Sequence, residues 1–289
     1  MNKKTRKINK NKTKKFKKLN CSPKSEFKFS CLNTKTLLKM RKNWNRNYTK
    51  KIHTNDPKKI WKFFKNNLKN CNNEKCWIKT LFKNKNKSHK LQKNLFAPSS
   101  PSSWKNNITE WLSSNDIINV MTQFEKKYPK FKFLGPSPID FNLKKSFNQC
   151  VWNDLCNFNL KTFIDKGITK IGIIFNTDPH YKGGAHWVCL FIDIDLKYIY
   201  FFDSTSDPPQ KEIKNLVNKI QNQATNLNIN LKYLINKTQH QKGDTECGIY
   251  VLVILILLLK RKKEPKDFNI RIPDKKMVEV RNILFNINN

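Results

Sequence analysis

The stretch QKGDTECGIYVLVILILLL constrains this chain more than any other. From Ile249 to Leu259 eleven consecutive residues are apolar, and Lys260, Arg261, Lys262 and Lys263 follow at once, as expected where cations meet the negative end of a helix. A helix that is apolar on every side has to be enclosed. A bilayer span needs about 20 such residues, so the run points to a core helix and to no use of a membrane. The helix is expected to begin at Cys247. A helix N-terminus and a nearby imidazolium are the usual means of making a thiolate nucleophile from a thiol of ordinary pKa about 8.5. Cysteine is otherwise a small buried hydrophobe, and Cys189, flanked by apolar residues in mid-strand, reads as inert packing.

A base for Cys247 has to come from elsewhere in the chain, and there are five histidines. His180 and His240 lie beside loop-type residues, Asp178-Pro179 and Lys242-Gly243, and read as solvated or loop-bonded. His186 opens AHWVCLFIDID, which reads as a strand, and KYIYFFD follows as a second strand after a turn at Asp195–Lys197. Two antiparallel neighbours joined this way bring the start of the first beside the end of the second, so His186 and Asp203 are expected to meet. A carboxylate there fixes the imidazole's tautomer and orientation.

These pieces, GAHWVCLFID, YFFDS and Q-x5-C-G-I-Y, resemble the SUMO-deconjugating and adenovirus-type cysteine proteases, including polyprotein proteases of large DNA viruses. In that family the order is His, Asp or Asn, Gln, Cys, with Trp following the His as Trp187 follows His186. The resemblance, covering roughly residues 108–262, implies Gln241 as an oxyanion-hole side chain beside the Cys247 backbone N–H, with Gln239 as a rival. It implies a groove narrowed by Trp187 and Trp111 that admits only side-chain-free residues, hence substrates with Gly-Gly sites; for Trp187 plain core packing stands as the alternative. The implied function is a viral polyprotein maturation endopeptidase, with a SUMO- or ubiquitin-like isopeptidase as the alternative. No cofactor is expected, and no metal: Cys71-x4-Cys76 lacks a second ligand pair at metal-site spacing.

Composition adds a second theme. Lys plus Arg outnumber Asp plus Glu by 58 to 21, and residues 1–100 hold 31 basic and 3 acidic residues, net +28. Non-specific DNA binding through residues 1–100 is one reading, up to a basic virion protein on a protease scaffold; a solvated tail is the other. Residues 1–20 read as a disordered basic tail and 21–96 as a basic helical arm with helices over Leu32–Trp44 and Asp56–Leu68. The polar, basic stretch Lys83–Lys93 argues against the arm folding alone. Residues 97–107, opening APSSPSS, read as a linker, and 108–289 as the catalytic domain. Eight cysteines at irregular spacing, without an apolar leader, argue for a reducing setting in the virion or host cytoplasm and against a disulfide framework.

Within 108–289 the periodicities predict a helix after Ser113, a strand over Lys170–Phe175, a helix over Pro209–Leu227, a strand over Ile229–Ile235 and a last helix over Asp274–Phe285. The expected class is therefore α+β, a papain-like or adenovirus-protease-like domain whose central mixed or antiparallel sheet packs on the Cys247 helix, plus the basic N-terminal extension.

Overall fold

The computed structural model describes residues 15–287. The chain divides into two compact units, Met1–Ala97 and Pro98–Asn289.

The first unit contains α1 (Thr34–Asn47), α2 (Pro57–Asn67), α3 (Glu74–Leu81) and α4 (Lys85–Leu95). Each starts on an Asn or Asp whose side chain accepts from an amide of the first turn: Asn33, Asp56, Asn73 and Asn84. These caps satisfy donors that a helix N-terminus leaves without acceptors. The polar, basic stretch Lys83–Lys93 nevertheless carries α4, anchored by buried Ser88 and Leu95. The unit has its own aromatic core, built on Trp44, Phe64, Trp77 and Phe96. Of the expected tail, residues 1–14 lie outside the described residues. Residues 15–20 are tied down: Lys17 N–H donates to Asn72 O at 2.7 Å, and the Phe16 ring lies 5.2 Å from that of Trp77.

Six of the eight cysteines are paired, Cys21–Cys31, Cys71–Cys76 and Cys150–Cys156. This corrects the expectation of no disulfides. The partners are only 5 to 10 positions apart, so local turns bring them together whatever the overall spacing pattern.

The second unit begins with α5 (Ser114–Lys127), β1 (Phe131–Pro138), α6 (Asn153–Cys156), α7 (Leu160–Asp165), β2 (Lys170–Asn176), β3 (Trp187–Asp193) and β4 (Tyr198–Phe202). It continues with α8 (Lys211–Thr225), β5 (Lys232–Ile235), α9 (Cys247–Leu259) and α10 (Asp274–Leu284). The five strands form one mixed sheet in the order β1-β2-β3-β4-β5. β2, β3 and β4 are antiparallel neighbours, while β1 and β5 add parallel at the two edges. Every residue of β3 and β4 is buried, because the sheet is covered on both faces. Trp187, Cys189 and Phe191 join the cluster around α9, and Val188, Leu190 and Ile192 the cluster around α8. That is why these strands read as continuous apolar runs.

α9 is the central element. Eleven of its thirteen residues are buried, each large aliphatic side chain contributing about 1.5–3 kcal/mol by leaving water. Thirteen residues span roughly 20 Å, and no helix among the described residues is long and apolar enough to cross a membrane. Beyond its C-terminus Arg261 meets Asp195 at 3.2 Å and Asp193 at 3.5 Å. Residues 97–107, expected as a linker, include a short 3-10 turn, Ser102–Lys105, whose Trp104 is buried against Phe285. That stretch is packed into the second unit.

Candidate active site

The register of β3 with β4, Cys189 opposite Phe202 and Asp193 opposite Tyr198, places the residue before β3 and the residue after β4 at the same end of the sheet. There His186 Nε2 donates to Asp203 Oδ1 at 2.8 Å. The same carboxylate oxygen accepts from Thr205 N–H at 2.8 Å and Thr205 Oγ1 at 2.7 Å, so the aspartate is fixed before it meets the ring. Cys247, the first residue of α9, lies near enough to the His186 imidazole to act on its charge. Burial opposes charge on that ring, yet the hydrogen bonds and negative charges of Asp203 and Cys247 outweigh it and raise its pKa to about 10. His186 therefore stands as an imidazolium between a carboxylate and a sulfur.

Cys189 is the other unpaired cysteine among the described residues. Enclosure, followed by the charge of Asp203, drives its thiol well above the ordinary range, so it stays protonated and inert. Of the remaining histidines, His180 Nδ1 meets Asp140 Oδ2 at 2.6 Å. His240 is fully buried, its Nδ1 accepting from Ile272 N–H at 3.0 Å. It is bonded in a loop and is not solvated.

Gln241 is buried and Gln239 exposed. The Gln241 amide is oriented at both ends: Ser204 Oγ donates to its Oε1 at 2.7 Å and its Nε2 donates to Gly243 O at 2.7 Å, leaving the second N–H of Nε2 for another acceptor. Ser204 O in turn accepts from the backbone N–H groups of His240 and Gln241, each at 2.8 Å. The residue after Asp203 thus carries the loop that leads to Cys247. Asp274 secures the same loop. Its Oδ2 accepts from Lys242 N–H at 3.0 Å and Gly243 N–H at 3.2 Å, while Tyr250 Oη on α9 donates to its Oδ1 at 2.8 Å.

Sequence reasoning missed a further pair. Arg281 on α10 and Glu246, the residue before Cys247, are both buried and joined by two contacts of 2.9 Å. The guanidinium also donates to the carbonyls of Glu110 at 2.7 Å, Thr245 at 3.1 Å and Thr109 at 3.2 Å, and its carbon lies 4.7 Å over the Trp104 ring. One fully donating fork thus ties the Thr245–Glu246 segment that leads into Cys247 to Thr109 and Glu110. A single Arg on a short amphipathic helix gives no sign of this in sequence, because its partners are 35 and about 171 positions away.

A groove of about 840 Å³ is lined among others by Trp111, Trp152, Gly183, Gly184, His180 and Trp187, the residue after His186. Trp111 is 43% exposed. Trp187 is 6% exposed and donates through Nε1 to Leu112 O at 3.1 Å, so it is both core residue and groove wall. Leu112 in turn packs on Gly248: a Cβ there would stand 3.0 Å from that of Leu112. Gly184 has φ +95°, and a Cβ on it would meet Asn176 Nδ2 at 2.7 Å. Asn176 Oδ1 accepts from Asp178 N–H and Ala185 N–H, so this glycine lets the His186 loop close on its own brace. No cluster of three or more metal-binding side chains occurs among the described residues.

A known family shares this arrangement. The profile of the Ulp1 protease family, C-terminal catalytic domain, matches residues 113–288. The chain therefore belongs to the Ulp1 protease family, a family of cysteine peptidases. It is 38% identical over 162 residues to a thiol protease of Acanthamoeba polyphaga mimivirus, covering 55% of this chain and 50% of that protein. The chain thus spans half the length of that relative. It is 26% identical over 190 residues to the SUMO-1 cysteine protease of African swine fever virus, covering 63% of this chain and 70% of that protein. The crystal structure of the swine fever virus protease superposes with a TM-score of 0.66 at 23% identity, covering 93% of this chain and 96% of that one, a likeness of fold.

Proposed function

We propose that the chain is a working cysteine endopeptidase with Cys247 as nucleophile, His186 as general acid and base, Asp203 as its orienting carboxylate and Gln241 as oxyanion donor. One observation carries the reading: the strand register brings His186 onto Asp203, 2.8 Å away, at the end of the sheet, with Cys247 as the first residue of the buried helix α9; the raised pKa of His186, about 10, is in keeping with it. The Cys247 thiolate attacks the scissile carbonyl, and the developing oxyanion is met by the Gln241 amide and the Cys247 backbone N–H, which has no intrahelical acceptor at the first position of α9. His186 gives its proton to the departing amine, then takes one from the water that hydrolyses the thioester.

The substrates are chains with Gly-Gly-type sites, a specificity the family resemblance implies, for which Trp111 and Trp187 stand in the groove lining. The setting is polyprotein maturation in a virion or viral factory, in keeping with relatives from two large DNA viruses. A second reading, deconjugation of a SUMO- or ubiquitin-like modifier, is favoured by the SUMO-1 protease name of the swine fever virus relative. Incubation with Gly-Gly-X peptides and with a SUMO fusion, beside a Cys247→Ser control, separates the two. Peptide cleavage with an intact fusion supports maturation, the reverse supports deconjugation, and cleavage of neither overturns the proposal.

A further inference from the structure

The first unit carries a basic surface that the protease reading does not use. On α1, Lys35, Lys39, Lys42 and Arg46 recur at i, i+4, i+7 and i+11, the spacing of a single helix face, and all four are exposed. They line one groove of about 640 Å³ together with Arg41 and Asn45. Its floor is built. Asn45 exchanges hydrogen bonds with Ile52, donating to its carbonyl at 2.9 Å and accepting from its N–H at 2.8 Å. Trp44 Nε1 donates to Lys50 O at 2.7 Å, and an Arg41 guanidinium nitrogen donates to Thr54 O at 3.0 Å. The Arg41 Nε is buried without an acceptor among the described residues.

Like charges three and four apart weaken an isolated helix, so this face works against the element that bears it. The unit offers little relief. Its three acids are Glu26, Asp56 and Glu74. Glu26 accepts from the N–H and hydroxyl of Thr34, and Asp56 caps α2 through the Lys58 and Lys59 amides. Glu74 is buried, accepting from Ser30 Oγ, Cys31 N–H and the Trp61 indole. The counter-charge for the α1 face has to come from outside.

We infer that the groove along α1 binds the phosphate backbone of nucleic acid, non-specifically. From Lys35 to Arg46 the face extends roughly 16 Å, about the length of five nucleotides of one strand of duplex. Its four cations on a rigid scaffold suit a repeating line of phosphates. Leu38 is the one apolar side chain among the lining residues, which leaves nothing to insert into a bilayer. Asn and Lys donors without an acidic partner suit phosphate oxygens and carry no means of reading bases.

The test uses the full chain, a fluorescent DNA duplex of about 20 base pairs and a salt titration. The quadruple variant Lys35→Gln, Lys39→Gln, Lys42→Gln, Arg46→Gln is compared with a charge-matched control, Lys58→Gln, Lys62→Gln, Lys69→Gln, Lys79→Gln. The log–log salt slope should shrink by about 3 to 4 in the α1 variant, at roughly 0.9 for each phosphate no longer neutralised, and by about one or less in the control. Peptide cleavage should be unchanged, and the α1 variant should melt at or above the wild type because like-charge repulsion is relieved. Equal losses in the two variants would reduce the surface to bulk charge and overturn the site. Binding to phosphatidylserine vesicles but not to DNA at about 0.15 M salt would overturn the choice of nucleic acid.

Discussion

His186 owes its charge to two neighbours, and each can be removed. Deleting the Asp203 carboxylate takes away an attraction that outweighs burial, so the pKa of His186 should fall from about 10. The alkaline limb of the kcat/KM profile, where the departing amine loses its proton donor, should therefore move to lower pH in Asp203→Asn. An unmoved limb would mean that Asp203 does not face the ring during turnover. Asp203→Ala should lower kcat by roughly 10²-fold to 10⁴-fold with little change in KM, and Asp203→Asn by less, since the amide still orients the imidazole. Folding stability follows the same group. His186 has a folded pKa of about 10 against an ordinary value of 6.5. Its stabilising contribution is complete below pH about 6.5 and is lost as pH rises through about 10. Urea titrations across that window should show the decline in wild type and a smaller one in Asp203→Ala.

At the scale of elements, α10 braces the start of α9 through the Arg281–Glu246 pair. Arg281→Met leaves the Glu246 carboxylate buried and unpaired and should cost about 3–5 kcal/mol. Adding Glu246→Leu should return much of that loss, because a buried ion pair replaced by apolar groups is often neutral. Urea denaturation of the single and double variants measures both, and an Arg281→Met loss under about 1 kcal/mol would show the pair to be unimportant. Gly184→Ala should raise KM and lower kcat together, since positive φ and the 2.7 Å approach to Asn176 both oppose a side chain there and His186 lies two residues on. A wild-type kinetic profile in Gly184→Ala would show that this loop does not position His186. These elements also mark the limit of what was legible in sequence. α9, β3 and β4 could be read because burial on all sides leaves continuous apolar runs, and the short β3–β4 connection made the His186–Asp203 meeting readable. β1 escaped because Gly135, Pro136 and Pro138 break its pattern, a composition tolerated at a sheet edge. The supports of the site, Ser204, Thr205, Asp274 and Arg281, escaped because each acts through a backbone or charge contact with no periodicity.

On the scale of the whole molecule the charge is divided as the chemistry is. Of the net +37, residues 1–100 hold +28, while the cysteine–histidine–aspartate arrangement belongs to the unit that starts at Pro98. The helices of the first unit were legible, α1 and α2 lying close to the expected Leu32–Trp44 and Asp56–Leu68, but its own core was hard to foresee: the apolar residues are few and separated by Lys and Asn, and the unit relies on side-chain caps and clustered indoles. Of the two unpaired cysteines, Cys247 is set apart from Cys189 by the charged His186 imidazole near it. Mass-spectrometric mapping of the adduct formed with a Gly-Gly vinyl sulfone tests this most directly. Modification is predicted at Cys247 alone, lost in His186→Ala; modification at Cys189 instead, or of Cys247 at an undiminished rate in His186→Ala, would contradict it.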